Sequence, residues 1–381
     1  MIDKGSWEKV RFGDVIVDVK QNLKNNTEES FERIVGLEHM TSGDVHIDKW
    51  SINDGASTFT KIFRSGQTLF GKRRAYQKKI AIAEFDGICS GDILVFDSKD
   101  ETLLLPALIP FVCMSKDFFH FVEANSQGSL SPRVSFSALS RYEFLLPPID
   151  EQKRIAKLLW AADDVLQKNS SIYDALDTIK SVQMDDLAVA ITSGNNQCFL
   201  SDVIEYEHGQ VDPKKVPFRD MPLVAPNHVE SGTGKVMQIV SAAEQNAISG
   251  KYEFSKGQVV YSKIRPNLNK VFIAEFDGLC SADMYPLRPK KGLRVEYLYY
   301  ILTSKPFLEY ATICSVRTSI PKLNRTDMSN FKLYLSSLQT QDAFVNKMKQ
   351  IDANIETCRI HIDNNRMALN DLINYYLGGA N

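Results

Sequence analysis

Basic side chains gather in two short stretches of this 381-residue chain, although its formal net charge is only −2. Residues 61–79 and residues 254–270 each contain several lysines and arginines and no acidic residue. One isolated basic run is most often a solvated face, but two runs at equivalent positions of a repeat favour contact with a polyanion. The chemistry that such residues offer is the neutralisation of phosphates and the reading of base edges.

The two basic stretches lie inside an internal repeat that covers residues 63–91 and 254–282. The segment FRSGQTLFGKRRAYQKKIAIAEFDGICSG aligns without a gap to FSKGQVVYSKIRPNLNKVFIAEFDGLCSA, at a constant offset of 191 residues. Lys72 coincides with Lys263 and Arg74 with Arg265, and AEFDG recurs at 83–87 and 274–278. A chain with two copies of one unit is best interpreted as two related domains.

The sequence contains no group of residues with catalytic or metal-binding spacing. Its six histidines show no HxxxH pattern, and its six cysteines form no CxxC pair. Residues 231–235 resemble a phosphate-binding loop but lack its first glycine and its final Ser or Thr. Asp150 and Glu151 are better explained by helix capping than by a nuclease site. We therefore expect no catalytic residue, metal or cofactor on this chain.

Two long amphipathic segments follow the two copies of the repeat. Residues 151–193 contain no Gly or Pro, and apolar residues recur there in alternating steps of four and three, which is the pattern of a coiled-coil seam. A second seam of the same kind follows residue 336. The predicted seam and partner-docking residues are Leu158, Ala162, Val165, Asn169, Ile172, Leu176 and Ile179 in the first helix, and Met348, Ile351, Ile355, Cys358, Ile362, Asn365 and Leu369 in the second.

Neither helix can bury its apolar stripe alone, so we expect the two helices to pair with each other. A pseudo-twofold relation between the repeats makes this pairing antiparallel. One register places Asn169 opposite Asn365, where a polar pair would fix the alignment at a cost in stability. The alternative is that each Asn faces solvent at a loosened point of the seam.

The predicted fold is α+β, with two homologous domains, each a twisted mixed β-sheet with helices, and two long antiparallel helices between them. The predicted segments are the first domain at 1–148, the first helix at 149–194, the second domain at 195–335 and the second helix at 336–381. The composition, 44% hydrophobic and 24% charged, allows each domain its own core. Without a signal segment or an 18-residue uncharged apolar run, we expect a cytoplasmic protein with no membrane partner.

Two related basic domains on a rigid spacer suit duplex DNA, whose charge repeats along a straight axis. A helix of some 40 residues is a rod of roughly 60 Å, and a stiff linker gives the second domain a high effective concentration at its site. Because the two domains differ outside their common frame, we expect them to read two different half-sites of an interrupted sequence.

DNA contact is predicted for the basic turn and for a later polar loop of each domain. Arginine can read guanine and asparagine can read adenine through two hydrogen bonds, whereas most lysine contacts go to phosphates. Lys79 and Lys270 either join these contacts or serve as solubilising charges on strand edges. The predicted contact residues are Arg64, Lys72, Arg73, Arg74, Ser129, Ser131 and Arg133 in the first domain, and Lys263, Arg265, Asn267, Arg317, Ser319 and Lys322 in the second.

Several blocks of the sequence resemble a known family over essentially the whole chain. They are WEKVRFGD at 7–14, LFGKRRAY at 69–76, FDGICSGD at 85–92 and LPPIDEQKRIA at 146–156. Together with the tandem layout, they resemble the specificity subunit of type I restriction-modification enzymes. The second helix departs from the pattern, because LSSLQTQ at 335–341 replaces the Pro-Pro and Glu-Gln of the first.

This resemblance implies two target recognition domains, each of which reads one half of a bipartite DNA site. It also implies partners: double-stranded DNA, two methyltransferase subunits on the helices, and restriction subunits bound through the complex of the methyltransferase and specificity subunits. S-adenosylmethionine, Mg and ATP would then belong to the partner subunits. Two alternatives stay open, namely the detached recognition half of a fused restriction-methyltransferase enzyme and a coiled-coil scaffold that binds proteins.

Overall fold

The computed structural model describes residues 4–23, 30–316 and 321–378. The chain forms two compact units, Met1–Ser171 with Arg359–Asn381, and Ile172–Cys358. Each unit combines one globular region with about half of each long helix, whereas the predicted boundaries set the helices apart as segments of their own. We call residues 4–148 the first head and residues 195–335 the second head.

The described part of the first head consists of short strands and helices around two sheets. Its elements are β1 Glu8–Arg11, α1 Phe12–Val15, β2 Ile16–Asp18, β3 Arg33–Val35, β4 Ser51–Ile52, β5 Lys61–Phe63, β6 Thr68–Gly71, β7 Ile80–Ile82, β8 Gly87–Cys89, β9 Ile93–Ser98, α2 Ile109–Met114, α3 Lys116–Ala124, α4 Phe136–Leu139 and β10 Glu143–Leu146, followed by the long helix α5 Ile149–Thr192. One four-stranded sheet is antiparallel with the order β2-β9-β6-β7, and the other is mixed with the order β4-β3-β8-β5, in which β3 runs parallel to β8. Strands β1 and β10 pair separately.

The described part of the second head repeats this arrangement, except that its mixed sheet has three strands. Its elements are β11 Gln197–Phe199, α6 Leu200–Val203, β12 Ile204–Tyr206, β13 Leu223–Val224, β14 Tyr252–Phe254, β15 Val259–Ser262, β16 Val271–Ile273, β17 Gly278–Cys280, β18 Met284–Pro289, α7 Val295–Thr303, α8 Lys305–Ser315, α9 Arg325–Ser329 and β19 Lys332–Tyr334, followed by the long helix α10 Leu338–Leu377. The sheets have the orders β12-β18-β15-β16, β13-β17-β14 and β11-β19, and β13 runs parallel to β17. The predicted α+β fold with two homologous domains is therefore confirmed.

The repeated sequence forms the same frame in both heads. Phe70 of β6 lies opposite Ile80 of β7, and Tyr261 of β15 lies opposite Val271 of β16, so the registers agree residue for residue. Successive side chains of β6 enter two different cores, Phe70 one and Leu69 the other, which fixes the register because a slip by one residue would exchange them.

The turn that joins each of these strand pairs has an unusual backbone. Arg74, Lys78, Arg265 and Asn269 have φ values of 51°, 51°, 46° and 48°, in the left-handed region. Non-glycine residues adopt this conformation at a cost on the order of 1–3 kcal/mol, so the surrounding structure must hold it. The duplication has therefore preserved a strained turn at the same place in both heads.

Aromatic cores support these sheets. The Phe12 ring lies 5.3 Å from the rings of Phe96 and Phe118 in the first head. In the second head the Phe307 ring lies 5.6 Å from Tyr261 and 5.0 Å from Phe331. Close packing of these rings keeps the sheets, and therefore the turns at their ends, in fixed positions.

The long helices meet inside each unit. In the first unit the beginning of α5 shares a buried core with the end of α10, through Ile155, Leu159, Leu369 and Ile373. In the second unit the end of α5 and the beginning of α10 share a core that includes Leu187, Ile191, Val345 and Met348. The start of one helix thus lies beside the end of the other, which is the predicted antiparallel pairing.

The predicted seam agrees with the buried face of α10 but not with that of α5. In α10, Met348, Ile351, Cys358 and Leu369 are buried, and Ile355, Ile362 and Asn365 are partly buried. In α5, Ala162, Asn169 and Leu176 are partly buried, but Leu158, Val165, Ile172 and Ile179 are exposed by 37%, 47%, 50% and 45%.

The four exposed residues of α5 were predicted to pack inside the chain, and this prediction is wrong. Leu159 and Leu166, one residue further along, are buried instead, together with Ile155. A shift of one residue turns an α-helix by about 100°, so the first helix presents two apolar stripes and buries only one of them. Asn169 donates its side-chain amide to the Val165 carbonyl of its own helix at 2.9 Å, and its pairing with Asn365 stays a prediction.

A buried glutamine joins each head to the start of its long helix. Gln152 donates to the carbonyls of Leu103 and Pro147, at 2.7 and 2.8 Å, and accepts from the Leu105 N–H at 3.0 Å. Both Gln152 and its counterpart are fully buried. That counterpart, Gln341, makes the same three bonds, to Gly292, Ser336 and Arg294, each at 2.9 Å. The second helix therefore begins as the first does, although its Pro-Pro and Glu are missing.

Candidate nucleic-acid interface

The structure brings the predicted basic turn and the predicted polar loop of the first head together. The turn follows β6, and the loop is residues 126–133. Arg73 and Arg133 form an antiparallel bridge, the Arg74 N–H donates to the Pro132 carbonyl at 2.7 Å, and the Val134 N–H donates to the Lys72 carbonyl at 3.0 Å. Two segments that are about 60 residues apart in sequence thus form one surface.

A carboxylate beneath this surface orients the two arginines. Asp92 Oδ2 lies 3.4 Å from Nη1 of Arg73, and Asp92 Oδ1 lies 3.1 Å from Nε of Arg133. Nε of Arg73 also donates to Ser131 Oγ at 2.8 Å. One carboxylate cannot neutralise two guanidinium groups, so the surface keeps positive charge while its arginines are held in fixed directions.

Lys72 and Arg133 also line a pocket of about 500 Å³ on this surface. Arg141, Asn125 and Gln127 complete its polar wall. Arg141 donates to Asn125 Oδ1 at 3.5 Å. Three cations and two amides around one open cavity suit an anionic, hydrogen-bonding ligand such as a nucleic-acid backbone.

The remaining predicted residues of the first head lie in different settings. Arg74 and Ser129 are exposed. Arg64 pairs with Asp86 at 3.0 Å and lies 5.0 Å from the Phe31 ring, so it stabilises the turn between β5 and β6. The backbone N–H of Ser65 also donates to Asp86. This hydrogen bond, together with the bond and charge of Arg64, holds the pKa of the Asp86 carboxyl below its usual range.

The second head places the same kinds of groups on the same frame. Ile264 and Lys322 form an antiparallel bridge, and the Arg265 N–H donates to the Pro321 carbonyl at 2.8 Å. Asp283 occupies the position of Asp92, and its Oδ1 lies 3.8 Å from Nζ of Lys322. Arg265 and Asn267 are exposed at the turn. Arg317 and Ser319 lie outside the described residues.

Lys263 departs from the role predicted for it. Its side chain is buried, its ammonium donates to the Ala282 carbonyl, and it lies 5.1 Å from the centre of the Tyr285 ring. Burial, followed by the nearby charge of Lys322, lowers the pKa of Lys263. This lysine supports the turn from inside, so the prediction that it contacts DNA is corrected by its burial.

Lys79 and Lys270 are fixed by carbonyl groups at equivalent places. Nζ of Lys79 donates to the Leu37 carbonyl at 2.6 Å, and Nζ of Lys270 donates to the Pro226 carbonyl at 2.7 Å. Both side chains connect the strand after the turn to a segment of the mixed sheet region. These bonds favour a structural role for both lysines over DNA contact and over a role as solubilising charges on strand edges.

Sequence reasoning missed two features of these surfaces. Asp92 and Asp283 differ by the repeat offset and lie one residue beyond the aligned blocks, so a longer alignment finds them. Arg325 gives no such signal in the repeat, because it is the first residue of α9 and the first residue of the equivalent helix α4 is Phe136. Its guanidinium lies 5.1 Å from the Tyr206 ring and 5.4 Å from the rings of Tyr252 and Tyr285, and it donates to the Glu207 carbonyl at 3.1 Å.

The described part of the chain offers neither a metal-binding cluster nor a membrane-crossing helix. Within residues 4–23, 30–316 and 321–378, no three His, Cys, Asp or Glu side chains converge in a way that could hold a metal ion. Over the same ranges, each helix is either too short or too polar to cross a membrane.

Comparison with known proteins identifies the family. The model of the type I restriction modification DNA specificity domain matches twice, at residues 4–176 and 193–364. The EcoDI specificity subunit of Escherichia coli, from a type I restriction enzyme, is 38% identical over 157 residues, which are 41% of this chain and 35% of that protein. The MjaVIII specificity subunit of Methanocaldococcus jannaschii is 21% identical over 423 aligned positions, 98% of this chain and 92% of that protein.

The chain therefore belongs to the family of type I restriction-modification DNA specificity proteins, and it contains two copies of the specificity domain. Its match spans about a third of the first relative and nearly all of the second. The solved S subunit of the type I restriction-modification system from M. genitalium has the same fold, with a TM-score of 0.62, 13% identity, and coverage of 98% of this chain and 97% of that one.

Proposed function

We propose that this chain is the DNA-reading, non-catalytic subunit of a type I restriction-modification system. Each head reads one half of a bipartite, interrupted site on double-stranded DNA. The observation that carries the proposal is the duplicated surface, in which a basic turn and a polar loop meet above an aspartate, Asp92 in one head and Asp283 in the other. Such a surface combines phosphate neutralisation with oriented donors for base edges.

The two heads differ where the common frame meets this surface. Residues 71–76 are GKRRAY and residues 262–267 are SKIRPN, so the first turn exposes Arg73 and Arg74 and the second exposes Arg265 and Asn267. Guanidinium and amide groups match different base edges in the major groove. The difference supports two distinct half-sites.

The uncovered stripe of α5 supports docking of partner proteins. Leu158 and Val165 in the first unit, and Ile172 and Ile179 in the second, are large apolar residues exposed on a surface helix. Apolar residues repeated on one helix face mark a protein-binding surface. In this proposal two methyltransferase subunits bind to this stripe, and restriction subunits join the complex of this chain with the methyltransferase. S-adenosylmethionine, Mg and ATP bind to those partners.

The proposal is tested on the complex of this chain with the methyltransferase subunit of its own restriction-modification system. Sequencing of methylated adenines in the source genome gives the bipartite site, and binding is then measured on that duplex and on duplexes with either half scrambled. Replacing Lys72, Arg73 and Arg74 together by Ala should weaken binding. The slope of log K against log salt should also fall by up to about 2.7, at about 0.9 for each phosphate that the variant no longer neutralises.

The matched control is Lys9→Ala, which removes a cation of the same head that is paired with Glu143. It should leave the affinity and the salt slope unchanged. Equal binding to intact and scrambled duplexes would contradict the proposed function. Unchanged affinity and slope in the triple variant would remove the turn from the interface.

A further inference from the structure

The loop of the first head carries an unusually exposed leucine. Leu130 stands at the tip of residues 126–133, and 92% of its surface is accessible to solvent. Removing a leucine side chain from water is favourable by roughly 1.5–3 kcal/mol, and this loop forgoes that gain. A scattered exposed leucine is ordinary on a protein surface, so its meaning depends on how it is held and on its neighbours.

The loop is held in a way that keeps Leu130 pointing away from the core. Gln127 and Arg133 exchange two backbone hydrogen bonds, at 2.8 and 2.9 Å, which close the loop at its base with a single bridge. Gly128 has a φ of 105°, which favours glycine at the turn. Ser131 is tied to Arg73 by the 2.8 Å bond described above. These bonds fix the tip from both sides.

The groups around Leu130 are those that read base edges. The hydroxyls of Ser129 and Ser131 flank it in sequence, and Arg73 and Arg133 lie at the base of the same loop. In the major groove, the single apolar group that a base pair of DNA presents is the methyl group of thymine. A leucine among hydroxyls and guanidiniums matches a surface that combines polar edges with one methyl group.

We propose that Leu130 is a specificity-determining residue that contacts the 5-methyl group of a thymine in the half-site read by the first head. This inference rests on the proposed function, because it names one base group within that half-site. It concerns the first head alone, since residues 317–320 of the equivalent loop lie outside the described part of the chain.

Uracil scanning tests the contact, because uracil lacks only the methyl group and keeps every hydrogen-bonding edge of thymine. In the bipartite duplex, each dT of the first head's half-site is replaced in turn by dU, and binding by the assembled complex is measured. One replacement should weaken binding about fourfold, which is the loss expected for one buried methyl-sized group. For the Leu130→Ala complex, the same replacement should have no further effect.

Leu103→Ala is the matched control, because Leu103 is an exposed leucine of the same head outside the loop. Its complex should keep the fourfold preference for dT over dU. The inference is overturned if no dT-to-dU replacement weakens wild-type binding, or if Leu130→Ala weakens binding to the dT and dU duplexes alike, as an inserted wedge would. Failure of the proposed function is distinguished from either result, since the complex would then bind intact and scrambled half-sites equally.

Discussion

Nε2 of His46 lies 2.6 Å from Oδ2 of Asp163, so a histidine of the first head bonds directly to a carboxylate buried in α5. Nδ1 of the same ring lies 2.7 Å from Oε1 of Glu84. An imidazole between two carboxylates is stabilised in its protonated form. The hydrogen bond to Asp163 is the main cause that raises the pKa of His46 from the ordinary 6.5 to about 9.

The first prediction concerns the pH dependence of the first unit. Because the pKa of His46 is raised in the folded state, its contribution to stability is complete below about pH 6.5, declines from there to about pH 9, and is absent above. Thermal unfolding followed from pH 6 to 10 should show this decline in the wild type and not in His46→Gln. His120→Gln replaces an exposed histidine of the same head and should keep the wild-type profile. A flat wild-type profile would contradict the bridge.

The second prediction concerns the two buried glutamines. Gln152→Leu should destabilise the first unit by at least about 2 kcal/mol, because it leaves two carbonyls and one N–H buried without their partner. Gln341→Leu should have an effect of similar size, since its three bonds are equivalent. Urea denaturation midpoints measure both. Gln183→Leu, which removes an exposed side-chain bond on the same helix, should change the midpoint little.

The third prediction concerns the carboxylate that orients the arginines. Asp92→Asn removes one negative charge but keeps the shape, so binding to unrelated DNA should tighten. The ratio of specific to unrelated binding should fall about fivefold, because Arg73 and Arg133 lose a partly exposed charged partner worth about 1 kcal/mol. Competition titrations at one salt concentration measure the ratio. Asp48→Asn alters an exposed carboxylate of the same head and serves as the control; an unchanged ratio in Asp92→Asn would argue against orientation by this residue.

The fourth prediction concerns the uncovered stripe of α5. Ile172→Glu and Ile179→Glu together should leave the melting temperature nearly unchanged, because both side chains are about half exposed. They should weaken assembly with the methyltransferase at least tenfold, since a charge would have to be buried there. Ser181→Glu places a charge on the opposite side of the helix from Ile172 and should have little effect. Titration of labelled methyltransferase compares the three proteins; equal affinities would move the docking surface elsewhere.

The common frame was predictable from sequence because its repeat is undisturbed. Identical spacing of Phe70 and Ile80, and of Tyr261 and Val271, requires identical strand registers, and the structure has them. The antiparallel helix pair was also predictable, since neither helix can bury an apolar stripe alone and the duplication relates the two helices by a pseudo-twofold. Both conclusions depend on local periodicity and on the duplication, which are directly visible in the sequence.

Other features depended on partners that are distant in sequence. Leu158 and Leu159 both continue seven-residue apolar patterns, and only packing in the first unit decides that Leu159 is buried. Asp163 breaks the apolar pattern, and its burial becomes understandable only with His46, 117 residues earlier. In sequence, Lys263 is a basic residue of the turn like its exposed neighbour Arg265. Its side chain is nevertheless buried, because it packs on the Tyr285 ring and donates to the Ala282 carbonyl.

The paired glutamine contacts give the two heads the same joint with the helix that follows. Each head offers its helix the same two carbonyls and one N–H, so this joint is kept when a head of this design is exchanged at residue 148 or 335. On the proposed function, a chimaera made at these joints would take its docking surface from one parent and its half-site from another. Recombination at two short junctions would then be enough to generate new sequence preferences for the same methyltransferase partners.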